Sequence, residues 1–171
     1  MMKRIKAGDP VALCQMGTRR KDEGDWDSAF EYFTKAAELG DPEAHNSLAY
    51  MYYNEQGVEK DEEKAVYHLE KAAIGGHAMA RHNLAVVERV NGNKDRMVKH
   101  LIIAANVGCE KSMKELWEDY KHGCITKEDL EATLRTHKAA IDEMKSPERE
   151  VAAVWRKIGS PLPVVVTAQR G

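Results

Sequence analysis

Apolar residues recur along this chain at spacings of three and four, with charge on the positions between. From Gly57 to Gly76, Ala65, Val66, Leu69, Ala72 and Ala73 form one such stripe, and Glu62, Glu63, Lys64, Glu70 and Lys71 occupy the other side. Residues three and four apart share a helical face, so the pattern predicts an amphipathic helix. Gly75 and Gly76 close it where a left-handed C-terminal cap belongs. The ending recurs in Lys35-Ala36-Ala37-Glu38-Leu39-Gly40 and in Ala104-Ala105-Asn106-Val107-Gly108. Helix endings at near-constant spacing predict an array of helical repeats.

Helix beginnings repeat as well. Asp9-Pro10 and Asp41-Pro42 each set a favoured N-cap before a proline at the first helical position, where its missing N–H costs nothing. With Asp9, Asp41, His77 and Cys109 as first positions, the units run 32, 36 and 32 residues and a fourth opens at Cys109. The longer unit holds a loop around Glu55 to Lys60. Position 4 reads Ala12, Ala44, Ala80, Ser112, and position 8 reads Met16, Leu48, Leu84, Leu116. Position 9 reads Gly17, Ala49, Ala85, small enough for a second helix to approach closely, whereas Trp117 predicts different packing in the fourth unit. Second helices follow, with Ala29, Phe33, Ala36 and Ala37 in the first unit and Met97, Leu101, Ala104 and Ala105 in the third. A helical hairpin of this kind cannot cover its own apolar face and must stack on its neighbours. The predicted fold is all-α, with units at residues 9–40, 41–76, 77–108 and 109–145 after a lead of residues 1–8.

The unit from Asp41 to Gly76 resembles the Sel-one-like repeat, the branch of the tetratricopeptide superfamily with slightly longer units. It carries Ala44, Leu48, Ala49, Tyr52, Gly57-Val58, Asp61, Lys64-Ala65 and Lys71-Ala72-Ala73 in the family's order. The first and third units keep the alternation of small and large residues but have Arg20 and Glu88 in place of the tyrosine and lack the Gly-Val turn. The fourth keeps Leu116 and Tyr120 but has no glycine closing Lys138-Ala139-Ala140. The resemblance covers residues 9 to 140. It implies a right-handed α-solenoid of about four helix-turn-helix repeats, whose first helices line a concave groove that receives a segment of a partner.

Beyond the repeats, Thr126 with Asp129 resembles a capping box ahead of the stripe Leu130, Leu134, Ile141, Met144. Ser146-Pro147-Glu148 signals another start, and Val151, Val154, Trp155 and Ile158 follow at helical spacing. Residues 146–159 are read as a C-terminal capping helix that shields the open end of the array, and residues 160–171 as a flexible tail.

Composition narrows the function classes. Charged residues make up 32% of the chain, yet acids and bases nearly cancel to a net charge of -2, which argues against a nucleic-acid partner. Cys14, Cys109 and Cys124 are an odd set without metal-ligand spacing. Cys109 and Cys124 would stand about 22 Å apart at opposite ends of one helix, beyond disulfide reach. Reduced thiols, no apolar leader and no membrane-spanning run together predict a cytoplasmic protein. No phosphate loop, dinucleotide fingerprint, nucleophile elbow or zinc motif appears, and no cofactor or metal is expected. His77 and His82 lie about 140° apart on a helix and cannot share a ligand sphere, though His45 could meet a histidine of the next unit. Cys109 in a first turn reads as inert rather than nucleophilic. Trp26, Trp117 and Trp155 read as core, and Met16, Met51 and Met113 as gap-fillers.

Positions 3, 6, 10, 13 and 14 of each first helix fall on the arc opposite the helical partner. Position 13 reads Lys21, Tyr53, Arg89, Lys121, position 6 reads Cys14, Asn46, His82, Lys114, and position 10 reads Thr18, Tyr50, Val86, Glu118. Asn46, Tyr50, Tyr53, His82, Arg89, Lys114 and Lys121 are the candidate partner-binding residues, suited to an acidic peptide or a C-terminal carboxylate. The function expected is a monomeric, non-enzymatic protein-interaction scaffold or adaptor. Two other readings stand beside it. One is a weak hydrolase, as credited to some cysteine-rich relatives whose paired cysteines are missing here; the other is a structural fragment of a longer array.

Overall fold

A computed structural model describes residues 8–144. Residues 1–7 of the lead, the predicted capping helix at 146–159 and the tail at 160–171 lie outside the described residues. Eight helices follow one another: α1 (Pro10–Asp22), α2 (Trp26–Glu38), α3 (Pro42–Tyr53), α4 (Glu62–Ile74), α5 (Ala78–Val90), α6 (Lys94–Asn106), α7 (Glu110–Lys121) and α8 (Lys127–Met144). They pack in sequential pairs, α1 on α2, α3 on α4 and α5 on α6, and each pair stacks on the next.

Local chemistry sets the helix ends. Asp9, Asp25, Asp41 and Asp61 each accept the backbone N–H three residues on, at 3.1, 3.2, 2.8 and 2.9 Å. His77 caps α5 the same way, its Nδ1 accepting from the Ala80 N–H at 3.0 Å. Each such cap is worth about 1 kcal/mol. Thr126 Oγ1 accepts the Asp129 N–H at 3.1 Å and donates to Asp129 Oδ2 at 2.8 Å, which starts α8. The three repeat endings share one geometry. Gly40, Gly76 and Gly108 have φ of +84°, +85° and +91°, and the amides of Asp41, His77 and Cys109 donate to the carbonyls of Ala36, Ala72 and Ala104 at 3.1, 3.0 and 3.0 Å. This is the Schellman closure, and its left-handed residue is why a glycine ends each unit.

The core is a string of three clusters, each straddling a boundary between units. Leu13, Phe33, Ala37, Ala44, Leu48 and Met51 join the first unit to the second. Ala49, Leu69, Ala73, Ala80 and Leu84 join the second to the third. Ala85, Met97, Leu101, Met113, Leu116 and Leu130 join the third to the fourth. Stacking, rather than a common centre, removes apolar surface from water.

Position 9 does what small size allows. A Cβ at Gly17 would sit 2.7 Å from Cδ1 of the fully buried Phe33 ring. Gly17→Ala is therefore expected to lower stability by about 1–2 kcal/mol in urea unfolding, despite alanine's better helix propensity. Met16, Met51 and Met113 are buried as gap-fillers, and Trp26 packs on the first cluster. Trp117 departs from expectation: it is 47% exposed, not core. The reason is that α8 packs on α6 as well as on α7, with His137 Nδ1 bonded to the Ala105 carbonyl at 2.7 Å. The side of α7 that carries Trp117 is left partly uncovered. Among the described residues, no helix is long and apolar enough to cross a membrane.

Candidate functional site

On the free side of the first helices, α3 and α5 present a patch of apolar and aromatic side chains. Tyr50 and Tyr53, three apart on α3, are 51% and 50% exposed; Val86 and Val90, four apart on α5, are 38% and 78% exposed. Spacings of three and four keep each pair on one helical face, and the two stacked helices bring the four together around a cavity of about 250 Å³. Leu69, Ala65 and Val66 of α4 line it with them, and Asn54, Glu62, Asn83 and Asn91 supply polar groups. The Lys60 ammonium lies 5.6 Å from the Tyr53 ring centroid and is bonded to Glu62 at 2.8 Å, fixing one edge.

The other candidate residues go elsewhere. Arg89 donates through Nη2 to Glu115 Oε2 at 2.7 Å and stands 3.7 Å from Asp119 Oδ2, so its charge is already met. Burial raises the Asp119 carboxyl above its ordinary value, with Arg89 opposing that shift. Lys121 pairs with Glu118 at 2.8 Å. Lys114 is exposed and lines a separate cavity between α7 and α8, with Met113, His137 and Ile141.

His82 is buried rather than presented to the groove, its Nδ1 3.0 Å from Ser112 Oγ and its Nε2 3.6 Å from Glu115 Oε1. Burial lowers its pKa, with Glu115 opposing. Cys14 at the same position of the first unit is also buried; burial and then the Asp41 carboxylate push its thiol up to about 12. Asn46 is half-buried, and its Oδ1 is enclosed without a hydrogen-bond partner. In the first and third units position 6 thus points at the first helix of the next unit. The spacing within one helix could not show this, because it depends on how the units stack.

Sequence reasoning missed Val90 and passed over Val86, although the position-10 row already set Val86 beside Tyr50. His45 meets a histidine of its own unit, not of the next: its Nδ1 is 2.9 Å from that of His68 on α4, and Tyr52 stacks on the His68 ring at 5.7 Å between centroids. Among the described residues no three metal-ligating side chains converge. Cys14 and Cys109 are buried free thiols, and Cys124 is a half-buried one.

Paired helices, Schellman closures at unit ends and clusters that bridge units define an α-helical repeat array. Within that class the chain carries Sel1 repeats: the Sel1 repeat family model matches residues 11–41 and 42–77. Among solved structures it is similar to a Sel1 repeat protein from Oxalobacter formigenes, at 26% identity and a TM-score of 0.69, over 83% of this chain and 62% of that one. It also shares the fold of c5321, a protective antigen of uropathogenic Escherichia coli strains described as displaying an SLR fold. There the identity is 22% and the TM-score 0.64, over 95% of this chain and 36% of that one. The chain thus spans less than two thirds of either structure's length. No curated protein matches it. Repeats of this kind commonly mediate protein interactions.

Proposed function

We propose that the chain is a non-enzymatic scaffold that holds a segment of a partner protein on the inner face, anchored by an apolar side chain between Tyr50, Tyr53, Val86 and Val90. The observation that supports this is the exposure of all four around one cavity, where rigid aromatic area and desolvation would concentrate binding energy. An acidic element in the partner would meet Lys114 most readily, since Arg89 and Lys121 already hold carboxylates. The free cysteines suit a cytoplasmic setting.

The test is affinity for a partner identified by gentle co-purification. Y50A/Y53A is expected to weaken it about tenfold or more with little change in stability, because both rings are half in water. R89E/K121E is expected to act weakly. Retained affinity in Y50A/Y53A, with loss in R89E/K121E, would instead favour the charged row.

A further inference from the structure

A second cavity, of about 480 Å³, lies where α4 and α6 flank α5 and adjoins the first at Val66, Val87 and Asn91. Three helical stripes converge on it: Val66, Glu70 and Ile74 from α4; Arg81, Leu84 and Glu88 from α5; Arg96 and His100 from α6. Its charges are unequally satisfied. Glu88 is 7% exposed and holds two partners, Arg96 Nη2 at 2.8 Å and Asn93 Nδ2 at 2.7 Å. The Arg81 side chain has no hydrogen bond or ion pair among the described residues, and His100 Nδ1 is enclosed with no hydrogen-bond partner. A buried polar atom left unpaired destabilises the fold, so a group that engages it gains affinity.

We infer that this cavity takes the carboxylate of a ligand whose adjoining group is a small branched aliphatic chain, with Arg81 and His100 as the donors to the anion. A planar guanidinium suits a carboxylate through two parallel N–H bonds, and a turn of the His100 ring that uncovers its enclosed Nδ1 would supply a third. Burial, then the nearby Arg81 and Arg96, keep His100 neutral at pH 7, a state that still has one N–H to donate. Arg96 is committed to Glu88, and Glu70 adds negative charge at the wall. The lining guanidiniums and carboxylates balance two against two, so Arg81, the lining cation with no carboxylate bonded to it, can meet one negative charge and not a phosphate dianion. Val66, Leu84, Val87 and Ile74 form the apolar wall for the aliphatic group. The end of a polypeptide finishing in leucine, isoleucine or valine has this chemistry, and so does a free branched-chain acid.

Calorimetric titration of the full chain with a leucine-terminated tetrapeptide, as free acid and as amide, and with 3-methylbutanoate tests the assignment. Expected are saturation by the free acid, none by the amide, at least tenfold weakening in R81Q, a smaller loss in H100Q and no change in Y53A. Peptide binding well above that of 3-methylbutanoate assigns a protein terminus, and equal binding assigns a free acid. No saturation by either carboxylate, equal binding of the amide, or wild-type binding by R81Q overturns it. Because Tyr53 lies at the other cavity, loss of either site leaves the other readable.

Discussion

Replacing Phe33 with alanine is expected to destabilise the protein by about 3–5 kcal/mol, and to do so unevenly along the chain. The ring is wholly buried in the first cluster, beside Gly17, which has no side chain to move into the space left behind. The cavity therefore persists and its cost stays near the upper part of the range for such truncations. Clusters that bridge only adjacent units couple the array through nearest neighbours, so the damage concentrates in α1 to α3. Hydrogen exchange resolved by peptide is the measurement. Protection should fall first across residues 10–53, while α6 to α8 keep most of theirs. An equal fall in all eight helices would show that the array unfolds as one cooperative unit.

Acid should weaken the second unit before carboxylates begin to titrate. Burial, and then the charge of His45, lower the His68 pKa from 6.5 to about 4. The 2.9 Å contact between the two Nδ1 atoms needs at least one of them to be a lone pair, whichever ring carries the proton. A second proton puts two cations face to face across α3 and α4. Because the folded pKa is the lower one, the unfolded chain binds more protons between pH 6.5 and about 4, and stability falls as pH falls through that window. The shifts at His45, His82 and His100 have the same sign. As pH falls below 4.5, Glu43, whose carboxylate is stabilised by its bond to His77, adds a further loss. With His68 partly exposed, its share is discounted to about 1–2 kcal/mol. Urea midpoints from pH 7 to pH 4 measure it, and H68Q should flatten the profile. An unchanged slope in H68Q would remove the pair from the account.

Much of the fold was legible because it is written in local rules. Asp9, Asp41 and His77 prove to be capping N-caps, and Cys109 occupies the same place without a side-chain bond. Gly40, Gly76 and Gly108 sit where only a left-handed residue closes the helix, and Gly17 where only a hydrogen leaves room for Phe33. Each of these depends on neighbours a few residues away or on one partner helix, and a spacing argument reaches that far.

The binding face was less legible. Tyr50 and Tyr53 were found because their helix turns them outward, and both are exposed around one cavity. Arg89 and Lys121 were read as available charge, but Glu115 and Glu118 occupy them; the Lys121–Glu118 pair lies three residues apart within α7, whereas the pairing of Arg89 is a property of two helices, not one. The same holds for His82, which faces Ser112 thirty residues on. By itself the sequence determined the repeat, its caps and the residues that stack, because these follow from 3.6-residue periodicity and backbone geometry. Which charges remain unpaired, which position 6 side chains are buried, and that Arg81 and His100 share a cavity were decided only by tertiary structure. Those facts depend on how helices pack within and between units, a geometry no single helix encodes.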